Sequence, residues 1–327
     1  MSSAIRKALR EEEGDVLAFL PGAGEIERCA GLLQESEPAI SLHPLYGDLP
    51  QAEQQAALQP HPQGRRKVVL ATSIAETSLT IEGIQVVVDS GYSRVPRFDP
   101  RSGLSRLETV AVTKDTADQR AGRAGRLGPG VAYRLWSEGA QQHLQPQRQP
   151  EILEADLAPT VLELAGWGIQ DFTSLSWLSP PPAGAVAAAR QLLQELQALE
   201  GPKITERGRQ MLRLPTHPRL AHLLLEGEAD GQASLAADVA ALLEERDPLP
   251  RGAGADLSLR VEALRRWRGG ERVSADRALL QRLERLASQW RRLFKTDADN
   301  EPVADTSVGK LLAAAYPEAH CPGARKG

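Results

Sequence analysis

Three short stretches, residues 15–20, 67–72 and 85–89, are almost continuously apolar and show no polar–apolar alternation. Asp15-Val16-Leu17-Ala18-Phe19-Leu20 stops at Pro21-Gly22, and Lys67-Val68-Val69-Leu70-Ala71-Thr72 and Gln85-Val86-Val87-Val88-Asp89 are the other two. A strand with one wet face alternates, whereas a strand covered on both faces does not, and such coverage accompanies parallel strands joined by helices. A fourth run at 107–113 is read with them, and a weaker strand at 40–45. Residues 25–34 have helical spacing in Ile26, Ala30 and Leu33, and 50–58 also read as helix. The first 145 residues are therefore expected to form a doubly wound α/β domain. Ligands bind beyond the carboxyl ends of such strands. Thr72-Ser73, Asp89-Ser90-Gly91 and the segment 119–126 each follow a strand in this reading.

The chain has 327 residues, more than one average domain. A net charge of −4 gives no global nucleic-acid signature, so any anion site is local. Cys29 and Cys321 are far apart and form no metal or disulfide framework, which suits the cytoplasm. The six histidines show no ligand spacing, and no metal site is expected. The apolar runs are too short to span a bilayer, and the charged first 13 residues lack the apolar stretch of a signal peptide.

After Pro146 the pattern changes. Residues 151–165 and 182–199 read as helices around Pro180-Pro181-Pro182, and 204–209 as a short strand and turn. This suits a winged-helix module over 146–216. Residues 217–315 read as an all-α helical bundle. Its last long helix, 275–294, carries Leu279, Leu280, Leu283, Leu286 and Trp290 on one face. Residues 260–295 hold 11 basic side chains against 4 acidic. Such a run is either a solvated helix face or a nucleic-acid-facing surface.

Gln119-Arg120-Ala121-Gly122-Arg123-Ala124-Gly125-Arg126 spaces three arginines by three, with small residues between them. A guanidinium stays charged, and its planar fork fits phosphate oxygens. An arginine-rich surface helix would explain the charges, but not the slim flanks that let a phosphate approach.

With the motifs taken in order, the chain resembles the C-terminal half of the DEAH-box ATP-dependent RNA helicases, of the bacterial HrpB type. Phe19-Leu20-Pro21-Gly22 with Glu25-Ile26 is similar to helicase motif IV. Leu45-Tyr46-Gly47-Asp48-Leu49-Pro50 with Gln54-Gln55 is similar to the family's next block. The stretch 67–91, with Ala71-Thr72-Ser73-Ile74-Ala75-Glu76-Thr77-Ser78-Leu79-Thr80-Ile81, resembles motif V, and 119–126 resembles motif VI without a mismatch. Arg94-Val95-Pro96-Arg97-Phe98-Asp99-Pro100 looks like the hook turn and hairpin start. Pro150-Glu151-Ile152, the triple proline and His217-Pro218-Arg219-Leu220-Ala221 continue the likeness, which covers about 14–316 and leaves 316–327 an unmatched tail.

The resemblance implies a RecA-like parallel-sheet domain (1–145), a winged helix (146–216) and a ratchet-like helical domain (217–315). It implies ATP with Mg²⁺ and translocation on single-stranded RNA, or DNA. Arg123 and Arg126 would be arginine fingers, and Gln119 would position the γ-phosphate or attacking water. Thr77, Glu82 and Arg120 would lie on the nucleotide side, Glu82 at the ribose, with Arg120 alternatively bracing the loop. Leu58 falls where some relatives stack an aromatic on adenine. Thr72 and Ser73 would hold RNA phosphates, Arg94 and Arg97 the strand at the hook turn. Asp89 is read as structural.

No Gly-x-x-x-x-Gly-Lys-Ser/Thr and no Asp-Glu-x-His occurs in these 327 residues. In the family those elements cradle the phosphates and hold Mg²⁺ on a first RecA-like domain. The expectation is that this domain is missing and the chain alone is inactive. It would then be an excised piece, a partial gene product or half of a split enzyme. The alternative is a non-catalytic nucleic-acid or partner-binding module.

Overall fold

The computed structural model describes residues 1–77, 79–99, 104–126, 128–250 and 252–320. Two compact units are present, Met1–Ala155 and Asp156–Gly327. The first thus extends past residue 145.

The first unit is built on a five-stranded, all-parallel sheet in the order β2-β3-β1-β4-β7. Its strands are β1 (Asp15–Phe19), β2 (Ser41–Leu45), β3 (Lys67–Ala71), β4 (Ile84–Asp89) and β7 (Val131–Arg134). Alternate residues divide between two cores, which is why the strand sequences do not alternate. Val16, Ala18, Val68, Leu70, Val86 and Val88 face α1 (Ser2–Glu11) and α2 (Ala23–Ser36), meeting Ile5, Ala8, Ile26 and Leu33. Leu17, Phe19, Val69, Ala71 and Val87 face the other way, onto Ala57 of α3 (Gln51–Leu58), Ala75 and Ala124. Lys67 is fully buried, its Nζ donating to the Ala57 and Gln59 carbonyls at 3.1 and 2.8 Å, where α3 ends. A cation there complements the negative end of the helix dipole.

Two expectations are corrected. The run 107–113 is no sheet strand: β5 (Tyr92–Asp99) and β6 (Leu104–Ala111) form a separate antiparallel ribbon. The fifth sheet position belongs to β7, a four-residue edge strand that pairs Val86–Asp89 of β4 with Val131–Arg134. Motif VI opens on α4 (Lys114–Ala121), and α5 (Glu138–His143) follows β7.

In the second unit, α6 (Ala158–Gly166) and α7 (Ala183–Glu195) precede a two-stranded hairpin, β8 (Leu199–Glu200) and β9 (Lys203–Ile204), and then α8 (Glu206–Leu212). The turn expected at 204–209 is instead a helix start: Thr205 Oγ1 accepts from Gly208 N at 3.0 Å and caps α8. Helices α9 (Pro218–Ala229), α10 (Ala233–Glu244), α11 (Leu257–Arg268), α12 (Arg277–Leu293) and α13 (Asp305–Ala315) enclose one core. Leu280, Leu283, Ala287 and Trp290 of α12 are buried in it.

The basic run 260–295 is divided. Arg260, Arg265 and Arg291 are buried and Arg268 nearly so, which neither sequence reading anticipated. Arg266, Arg272, Arg277, Arg285, Arg292 and Lys295 are exposed, as on a solvated helix face. Asp238, fully buried on α10, accepts from Arg268 (2.5 Å), Arg265 (3.1 Å) and Arg291 (3.1 Å). Glu284 and Asp299 complete the cluster. The arginines thereby fasten α10, α11 and α12 together, and such charges lie inside because they are paired.

Candidate active site

The C-terminal ends of β3 and β4 and the start of motif VI meet at one edge of the sheet. β3 ends at Ala71, and a single 3₁₀ turn, Ser73–Ala75, follows with Thr72 as its cap. Thr72 N donates to Leu45 O at 3.1 Å, which fixes the turn to β2. Thr72 and Ser73 are both half-buried. Glu76, next in line, is buried and organises the region.

Its Oε1 accepts from Arg120 Nε (2.9 Å) and Nη2 (2.7 Å), and its Oε2 accepts from Arg148 Nη2 at 2.5 Å. Its main-chain carbonyl accepts from Arg123, at 2.8 Å from Nε and also from Nη2. Arg123 Nη1 reaches the Leu79 carbonyl at 2.7 Å. One residue of the β3 loop thus holds two motif VI arginines, one by its side chain and one by its backbone.

Arg120 is fully buried, with Nη1 on Asp89 Oδ1 (2.7 Å) and its guanidinium over the Phe19 ring. It therefore braces the loop, and its placement on the nucleotide side is corrected: two carboxylates and the sheet enclose it. Asp89 lies at the end of β4 and accepts from Gly91 N at 2.9 Å, as a structural turn residue does. Burial raises its pKa, opposed by the Arg120 charge.

A cleft of about 300 Å³ is lined by Glu76, Thr77, Gln119, Gly122, Arg123 and Arg126. Four of the expected site residues therefore share one wall. Arg123 is almost covered there, and burial, assisted by Arg126, lowers its pKa. Arg126 is exposed and donates only to Thr80 Oγ1, at 3.0 Å, among the described residues. Arg126 can reach a ligand freely, while Arg123 is fixed in place. Glu82 is exposed outside this lining, its N–H donating to the Leu58 carbonyl at 3.3 Å. The two residues assigned to the nucleoside are thus neighbours. Leu58 packs partly into the core.

Arg94 and Arg97 lie on strand β5 and not in a turn. Arg94 pairs with Glu25 at 3.2 Å and crosses Gly22, where a Cβ would meet Nη1 at 2.5 Å. Arg97 pairs with Glu108 (3.2 Å) and Glu154 (3.1 Å). Both are exposed, so these pairs hold little energy and a phosphate could displace them. Arg148 was missed by sequence reading; a single arginine among glutamines carries no motif. Among the described residues no group of three or more His, Cys, Asp or Glu could hold a metal ion, and no helix is long and apolar enough to cross a membrane.

The family model for the helicase conserved C-terminal domain matches residues 2–128. The chain is 47% identical over 257 residues to the ATP-dependent RNA helicase HrpB of Escherichia coli K12, covering 78% of this chain and 31% of that one. It is 41% identical over 226 residues to the pre-mRNA-splicing factor ATP-dependent RNA helicase prp22 of Schizosaccharomyces pombe, across 66% of this chain and 19% of the relative. Two crystal structures of E. coli HrpB, described as a DExH-box NTPase and as a DEAH/RHA helicase, superpose with TM-scores of 0.76 and 0.82. Their identities are 41% and 40%, covering 96% and 97% of this chain and 37% and 38% of those structures. The chain spans a third or less of the length of the curated relatives it matches. With its parallel RecA-like sheet and an ordered set of helicase motifs along one sheet edge, it is a relative of the HrpB-type DEAH-box helicases and carries their conserved C-terminal helicase domain.

Proposed function

We propose that this chain supplies the second RecA-like half of a cytoplasmic ATP-dependent RNA helicase, together with a winged helix and a ratchet-like helical domain. The observation that carries this reading is the cleft wall on which Gln119, Arg123 and Arg126 stand beside Thr77, with Arg123 fixed by the Glu76 and Leu79 carbonyls. Charge spreads over the γ-phosphate oxygens during transfer, and preset guanidinium groups stabilise it. Arg123 offers a charge in a set position, Arg126 a mobile one, and Gln119 a polar group for the phosphate or the attacking water. Thr72 and Ser73 would donate to RNA phosphates at the end of β3, with Arg94 and Arg97 along the same strand. Such contacts hold a strand without reading its sequence.

Among the described residues no group of three or more His, Cys, Asp or Glu is placed to hold Mg²⁺. Its ligands, with the Walker A loop, are assigned to a first RecA-like domain, in cis or in trans. Alone, the chain should hydrolyse ATP at background. Joined to such a domain, it should show RNA-stimulated turnover and RNA binding that weakens steeply with salt. Robust hydrolysis by the isolated chain would contradict the division of labour. Salt-sensitive RNA binding without any turnover in the joined assembly would instead favour a non-catalytic RNA-binding module.

A further inference from the structure

Arg148 lies in the segment after α5, outside every helicase motif of the sequence. Its Nη2 donates to Glu76 Oε2 at 2.5 Å and its Nε to Thr116 Oγ1 at 3.0 Å, on the first turns of α4. It therefore joins the β3 loop to the helix that opens motif VI. The segment itself is anchored: Lys114 N donates to Gln145 O at 2.8 Å and Asp115 N to Pro146 O at 3.2 Å. Phe98 N donates to Glu154 O at 3.3 Å, which ties the same segment to the β5–β6 ribbon.

The Glu76 carboxylate is thus held from two sides, by buried Arg120 and half-exposed Arg148. Fixing both carboxylate oxygens fixes the residue, and with it the main-chain carbonyl that carries Arg123. Arg120 also supports the sheet through Asp89, whereas the Arg148 side chain reaches only Glu76 and Thr116 among the described residues. We propose that Arg148 is a positioning residue for Arg123, acting through Glu76, and that it links the ribbon-anchored segment to the nucleotide-facing cleft. This rests on the reading of Arg123 as an arginine finger.

Two measurements on Arg148→Gln and Arg148→Lys test it. In the chain alone, hydrogen exchange of the Arg123 Nε–H, followed by NMR, should speed up roughly tenfold in Arg148→Gln. The thermal midpoint should hardly move, because the side chain is half-exposed. In the chain joined to a Walker-bearing domain, kcat should fall roughly tenfold with KM for ATP unchanged, the mark of an interaction made in the transition state. Arg148→Lys should recover part of both. Unchanged Arg123 exchange overturns the proposal, as does a rise in KM alone or a rate loss that tracks melting. Absence of turnover in the unsubstituted assembly would count against the proposed function, while the exchange measurement still decides the role of Arg148.

Discussion

The Arg120 guanidinium, itself fully buried, holds the almost buried Glu76 carboxylate with two donors at 2.7 and 2.9 Å. The middle of an arginine-rich motif is thereby structural. Removing Arg120 leaves buried Asp89 without its charge partner and Glu76 with Arg148 alone, and breaking such a buried pair costs about 3–5 kcal/mol. Arg120→Ala should show that loss in denaturant unfolding; a change under 1 kcal/mol would return Arg120 to the ligand side.

Arg126 makes the opposite prediction. It is exposed and bonded only to Thr80 among the described residues, so Arg126→Ala should alter stability by no more than about 0.5 kcal/mol. RNA-stimulated turnover of the joined assembly should nevertheless drop by roughly 10³. Steady-state kinetics beside a melting curve separates the two effects, and unchanged turnover would dismiss the finger.

Gly130 touches the motif VI loop from behind. A Cβ there would lie 2.2 Å from the Ala124 carbonyl oxygen and 2.5 Å from its carbon, both backbone atoms that cannot swing aside. Gly130→Ala should displace the loop between Arg123 and Arg126 at a cost of about 1–3 kcal/mol. Turnover should fall while far-ultraviolet dichroism stays the same.

In the second unit, Asp238 holds three arginines without any exposure of its own. Asp238→Ala should destabilise the unit by about 3–5 kcal/mol, readable in urea unfolding. A mild effect would mean that Glu284 and Asp299 suffice.

His222 sets a pH dependence. It is buried, its Nδ1 has no partner among the described residues, and burial, aided by Arg207, lowers its pKa to about 4. The unfolded chain, with a histidine near pH 6.5, takes up the proton first. Stability from this residue is therefore full above that pH and falls towards pH 4, by no more than about 3 kcal/mol. His222→Gln should flatten the slope; an equal slope in both proteins would assign it elsewhere.

The three central strands were legible because apolar residues on both faces leave an unbroken pattern, as in Val86-Val87-Val88. β7 was not, since four residues at a sheet edge with Val131 exposed carry too little pattern. Residues 107–113 misled because Leu107, Val110 and Ala111 look like a buried run, although Leu107 is 68% exposed on the ribbon. Helix α1 went unread: it is short, and only Ile5 and Ala8 of it are buried among charged neighbours. In the cleft, arginine spacing marked the segment 119–126 as phosphate-facing, and the resemblance to motif VI singled out Gln119, Arg123 and Arg126. The split of duties between buried Arg120 and exposed Arg126 depended on Glu76 and Asp89, which come from other strand ends. Arg148 and the inward-facing arginines of 260–295 gain meaning only through partners distant in sequence.

Lys67 extends this to how the domain opens. Its amine is sealed beneath the end of α3 and held by two carbonyls. Amine-directed acylating reagents should modify exposed lysines such as Lys7 at once and bypass Lys67 until β3 and α3 separate. Its acylation rate is then a built-in clock for opening of the sheet, timed by the protein and not by the reagent.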